Sequence, residues 1–173
     1  MKPHARFLKA VLPLLVVAVL LLAACKPQEV VLSFQTIERQ DSAFRAASMW
    51  GDKNPALMVI SSSEDIEKVK SYVTAQSVST LEQLDFRSAF ALVVFRGLQP
   101  SSFVDFSVER IVRRGSEIAV YTRPGRQGPN PAESSPYHLV EIQKQGEMSG
   151  NFTFNLYFGE DKVTIASGDR NVP

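Results

Sequence analysis

Asn151-Phe152-Thr153-Phe154-Asn155-Leu156-Tyr157-Phe158 alternates polar and apolar residues without a break. A strand turns successive side chains to opposite faces, so Phe152, Phe154, Leu156 and Phe158 share one face and the intervening residues share the other. A period of two has no helical counterpart, and it predicts a half-buried strand with one face on a core. Gly159-Glu160-Asp161-Lys162 then reads as a turn, with Val163 and Ile165 opening the return strand of a hairpin.

A second hairpin is expected from Phe103 to Thr122, turning at Arg113-Arg114-Gly115-Ser116. Val104, Phe106 and Val108 alternate, but Ile111 is out of phase with them, which predicts a β-bulge near Glu109. Leu57 to Ile60 and Phe90 to Phe95 are nearly continuous apolar runs, read as central strands covered on both faces. Ser61-Ser62-Ser63 offers a helix N-cap, Glu64 or Asp65 completes a capping box, and Ile66, Val69 and Val73 follow at helical spacing. Val30, Leu32 and Phe34 alternate as a strand, whereas Glu38 to Trp50 fits helix and strand equally. The expected fold class is α+β, a mainly antiparallel sheet assembly with one or two helices packed on it. No internal repeat is visible.

The N-terminus bears on compartment. Lys2, His4, Arg6 and Lys9 precede an apolar run from Ala10 to Ala24 that ends in small residues, the layout of a signal peptide. That run is about 15 residues, shorter than the roughly 20 needed to span a bilayer core. Leu22-Ala23-Ala24-Cys25 matches the bacterial lipobox, in which the cysteine thiolate receives a diacylglyceryl group and cleavage frees its amine for a further acyl chain such as palmitate. Several chains at one terminus anchor a protein durably. The expectation is a lipoprotein with residues 1–24 removed, lipidated at Cys25 and held on the extracytoplasmic side of a bacterial membrane. Residues 25–56 lead into a single domain at 57–173.

Removing residues 1–24 leaves 149 residues, one ordinary domain. Sixteen basic residues then face 18 acidic ones, and this balance speaks against a nucleic-acid surface. Cys25 is the only cysteine, so no disulfide supports the fold.

The chemical inventory is short. His138 is the one histidine outside the leader, and alternation over Tyr137 to Ile142 sets it on the face of Val140 and Ile142. That company reads as a hydrogen-bonded structural histidine. No spacing suits a zinc site, no nucleophile elbow occurs, and Glu64-Asp65 and Glu160-Asp161 fit a helix start and a turn. No catalytic residue, metal or cofactor is expected. The unusual segment is Arg123 to Pro136, a Pro/Gly-rich connection read as structureless and long enough to suggest a binding role. Its polar residues Arg123, Arg126, Gln127, Asn130 and Glu133 are the candidate partner contacts. The Arg113-Arg114 turn reads as solvated.

Val59-Ile60-Ser61-Ser62 takes a strand into a helix cap, Asp85-Phe86 stands ahead of a strand ending in Gly97, and Pro136-Tyr137-His138 opens another strand. In these motifs, and in the order of elements from about 57 to 142, the chain resembles the PrcB-like C-terminal domain family, first recognised in a lipoprotein subunit of a surface protease complex. It departs at Pro100-Ser101-Ser102-Phe103, where the family tends to have a glycine turn. The resemblance implies a non-enzymatic interaction module with an envelope protein as partner, in particular an envelope protease. Two other readings stand beside it: a protease inhibitor presenting the 123–136 loop, and a lipoprotein that binds a small ligand. A hydrolase using His138 ranks last.

Overall fold

The computed structural model describes residues 28–41, 46–146, 148–159 and 161–173, with 161–167 as backbone. The expected leader and the lipobox residues Leu22, Ala23, Ala24 and Cys25 lie outside the described residues. The described chain runs β1 (Glu29–Leu32), β2 (Phe34–Gln40), β3 (Ala56–Ile60), α1 (Ser63–Val69), α2 (Ala75–Glu82) and β4 (Ala89–Phe95). It continues with β5 (Phe103–Val104), β6 (Ser107–Arg114), β7 (Glu117–Arg123), β8 (Arg126–Gln127), β9 (Tyr137–Gln143), β10 (Gly150–Phe158) and β11 (Asp161–Val172).

These elements form three layers. A five-stranded sheet, β1-β6-β7-β10-β11, packs on a four-stranded sheet, β2-β9-β4-β3, whose other face carries both helices. Alternation builds the arrangement directly. In β4, Phe90, Leu92 and Val94 face the five-stranded sheet with Val140, Ile142, Phe154 and Leu156, while Ala91, Val93 and Phe95 face the helices with Ile66, Val69 and Leu81. Withdrawing one such large side chain from water contributes about 1.5–3 kcal/mol, so these two apolar layers dominate the stability. Trp50 closes the helix layer by stacking on Phe95 at 5.0 Å between centroids.

The fold is α+β and dominated by sheet, as the patterning predicts, and all strand pairs but one are antiparallel among the described residues. The exception joins the two hairpins, with Glu117–Thr122 of β7 parallel to Thr153–Phe158 of β10. The bulge falls where the phase break set it: the β6–β7 register slips between Val108 and Arg110, leaving Glu109 as the extra residue.

Four details differ from the expectation. The turn after β10 is tighter, because Asp161 already pairs with Phe158 around Gly159, whose φ of 61° allows the sharp reversal, so the return strand begins before Val163. β3 is an edge strand, and its apolar run reflects cover from the sheet on one face and the helices on the other. α1 stops at Val69, so Val73 is buried from the bend that follows. Residues 29–40 are two strands in different sheets, since β1 pairs with β6, β2 pairs with β9, and the chain crosses at Ser33. Val30, Leu32 and Phe34 share a phase because both strands border the same core.

Candidate functional site

One end of the sandwich carries a ledge built from two segments, 97–105 and 123–136. Gly97 starts it. With φ at 90° it passes so close to the chain at Lys53 that a Cβ there would lie 2.4 Å from the Lys53 carbonyl oxygen. Beyond it the two segments are laced together. Gln99 and Ser134 exchange backbone bonds of 2.8 and 3.0 Å, the Ser102 N–H donates to the Asn130 carbonyl at 2.7 Å, and the Gly128 N–H donates to the Ser102 carbonyl at 2.8 Å. The Ser134 hydroxyl donates to the Ser101 carbonyl at 2.7 Å, and β5 pairs with β8. The connection from Arg123 to Pro136 is therefore not structureless. Bonds from the 99–104 segment hold its residues 126–130 and 134, and Ser134 and Ser135 are fully buried beneath it.

The five polar residues picked out in this loop are all exposed. Arg123 pairs with Glu109 at 2.7 Å and Arg126 with Asp105 at 2.9 Å, exposed pairs worth at most about 1 kcal/mol each. Gln127, Asn130 and Glu133 complete the rim; the Asn130 side-chain oxygen accepts the Ala132 N–H at 3.0 Å and shapes the tip. Sequence reasoning missed the floor of this site. Arg96 lies there between the rings of Phe103 and Phe158, its guanidinium carbon 5.1 Å from each centroid, and Nε donates to the Pro124 carbonyl at 3.2 Å. Burial pushes its pKa below the ordinary value. The available signal was a cation ending an otherwise apolar strand, Phe95-Arg96-Gly97.

His138 lies away from the ledge surface, between the sheets and almost fully buried. Its Nδ1 accepts the Val108 backbone N–H at 2.8 Å, beside the bulge, which places the ring proton of the neutral form on Nε2. Nε2 then donates to the Thr36 hydroxyl at 2.9 Å, on a strand that has its own register shift between Thr36 and Glu38. The imidazole thus ties β9 to an irregular strand in each sheet. Burial, aided by the positive charge of Arg39, pushes its pKa down to about 4.

Tyr137 points the other way, into the helix layer. Its phenol donates to Glu38 Oε2 at 2.8 Å, and that oxygen also receives Thr74 Oγ1 at 2.8 Å and the Ser77 hydroxyl. Gln40 donates to Oε1 at 2.6 Å. Burial alone would raise the Glu38 pKa, but these bonds outweigh it and hold the carboxyl below its ordinary value. Burial first, then the hydrogen bond to Glu38 and the Glu38 charge, push the Tyr137 phenol well up. The cluster fastens β2 and β9 to α2.

The remaining residues singled out for the PrcB-like resemblance have local roles. Asp85 shapes the turn into β4, accepting the Ser88 and Arg87 side chains while its carbonyl accepts the Ala89 N–H. Phe86 packs on the helix-layer core, and the Pro136 carbonyl accepts the Arg96 N–H at 2.8 Å. Arg113 and Arg114 sit at the opposite end of the sandwich, where Arg114 pairs with Glu29 at 3.1 Å. Among the described residues no three His, Cys, Asp or Glu side chains gather as for a metal, and no helix is long and apolar enough to cross a membrane. Comparison with protein-family models, with curated proteins and with solved structures yields no match to this chain.

Proposed function

We propose that this chain is a lipid-anchored, extracytoplasmic protein-interaction module without catalytic activity of its own, acting as an accessory subunit of an envelope protease complex. The observation that carries the reading is the ledge: a long polar loop whose backbone is fixed before any partner arrives. Such preorganisation lowers the ordering cost of association. A second feature supports it. Cys25 precedes Glu29 by four residues, and Glu29 pairs with Arg114 beside the 115–116 turn. From there β7 carries the chain from Glu117 to Arg123, about 20 Å at strand rise. A lipid at Cys25 would leave the ledge at the far end, turned towards partners.

His138 supports the non-enzymatic part of the reading, since both ring nitrogens are committed inside the core. The protease association rests on the PrcB-like resemblance of residues 57–142 and is proposed on Asp85-Phe86 and Pro136-Tyr137-His138. The test is crosslinking in intact cells followed by mass spectrometry, comparing wild type with Cys25→Ser and with Arg126→Glu. We expect an envelope protease among the products, release of Cys25→Ser from the membrane fraction, and a weaker crosslink for Arg126→Glu. Repeated recovery of no partner by the anchored wild-type protein would sink the proposal.

A further inference from the structure

We infer that Arg96 is the anchor for an acidic side chain of the partner: the floor of the ledge is a fork-shaped receptor for one Asp or Glu carboxylate. The inference rests on the interaction reading above and names the partner chemistry at that site.

The argument starts from charge. The other two arginines of the ledge, Arg123 and Arg126, each hold a carboxylate. Arg96 is half-buried, yet among the described residues no carboxylate lies within ion-pairing distance of it. A partly desolvated cation is costly unless an anion compensates it. The two phenyl rings offset part of this, because a guanidinium over an aromatic face is attracted to it.

The rings also do something a simple counter-charge would not. Holding the guanidinium between Phe103 and Phe158, with Nε on the Pro124 carbonyl, limits how the planar group can turn. Guanidinium has five N–H donors, and only the Nε–H has an acceptor among the described residues. The remaining donors form the edge that a carboxylate matches in bidentate fashion. Phe103 stands in the segment that replaces the family's glycine turn, so this receptor is a property of this chain's own residues.

The rival is a purely structural role, with Arg96 a pillar filling the mouth between the sheets. Titration of the lipidated full chain in detergent micelles, uniformly labelled with a nitrogen isotope and with the arginine Nε–H and backbone amide resonances followed by NMR, separates the two. The probes are a capped Gly-Gly-Glu-Gly-Gly peptide, its Gln counterpart and sodium phosphate. We expect the Glu peptide to shift the Arg96 resonance saturably, with binding weaker by at least about tenfold for the Gln peptide. Arg96→Lys keeps the charge and loses the fork; in that folded variant the Glu-peptide shifts of the Gly125 and Phe158 amides should need about tenfold more peptide. An unmoved Arg96 resonance, equal shifts at all arginines, or phosphate matching the Glu peptide would each overturn the inference. If Arg96 stays silent while cells still crosslink a partner, this inference falls and the proposed function stands.

Discussion

Acidification should unlatch the two sheets at His138. The group is neutral in the folded protein, with a pKa near 4 against 6.5 when unfolded. Stability from such a depressed pKa is complete above the unfolded value and drains away as pH falls through the window from about 6.5 to 4. The full shift corresponds to about 3 kcal/mol, and at about pH 5 roughly 2 kcal/mol is already gone. Against a domain stability of about 5–15 kcal/mol that is readily measured. Glu38 and Asp65 titrate lower. In both, burial raises the pKa but is outweighed, by the hydroxyls and amide around Glu38 and by Lys68, Ser61 and Ser62 around Asp65. Their contributions are lost mainly below about pH 5, leaving the upper part of the window to His138. The assay is urea unfolding at about pH 7.5 and about pH 5, for wild type and for His138→Gln, which keeps a donor and an acceptor but cannot titrate. The variant should start less stable and lose about 2 kcal/mol less on acidification. Equal losses in the two proteins would refute the assignment of His138 as a buried neutral latch.

Three further outcomes follow from the packing. Gly97→Ala should lose at least about 2 kcal/mol in urea unfolding, because φ is positive there and the new Cβ strikes the Lys53 carbonyl oxygen. Glu38→Gln should cost about 1–3 kcal/mol, since its amide group cannot accept the Thr74, Ser77 and Tyr137 hydroxyls as the carboxylate does; thermal unfolding checks it. Phe154→Ala should cost about 3–5 kcal/mol by opening a cavity opposite Phe90, 6.1 Å away between centroids, and should bind more of a dye specific for exposed apolar surface.

Where one residue type determines local geometry, the sequence was legible. The alternation of β10, the bulge at Glu109 and the cap at Ser62, whose side chain accepts the Asp65 N–H, depend on near neighbours and were all readable. The face occupied by His138 followed from the same alternation, although its partners Thr36 and Val108 lie far away in sequence. α2 was not located. Ala75-Gln76-Ser77-Val78-Ser79-Thr80-Leu81-Glu82 is rich in weak helix formers, and tertiary packing of Leu81 and Val78 with the Thr74 cap holds it together. Nor does alternation say which strand lies beside which, so the parallel β7–β10 junction was hidden. The ledge was legible as a segment and not as a structure, because its order comes from bonds to residues 99–102. Arg96 was missed for the same reason: Phe103 and Phe158 meet it only in the fold.

The crossing at Ser33 has a kinetic consequence. β1 must wait for β6, whose Arg114 stands 85 residues beyond Glu29, and β2 must wait for β9, with His138 102 residues beyond Thr36. Contacts so distant along the chain close slowly, because the intervening loop must first be brought together. Made before β6 and β9, the strands β1 and β2 can seat only once those partners have formed. Until they dock, β6 and β9 each keep an open edge, and the time spent in that state sets how exposed the newborn chain is to mispairing with another copy of itself.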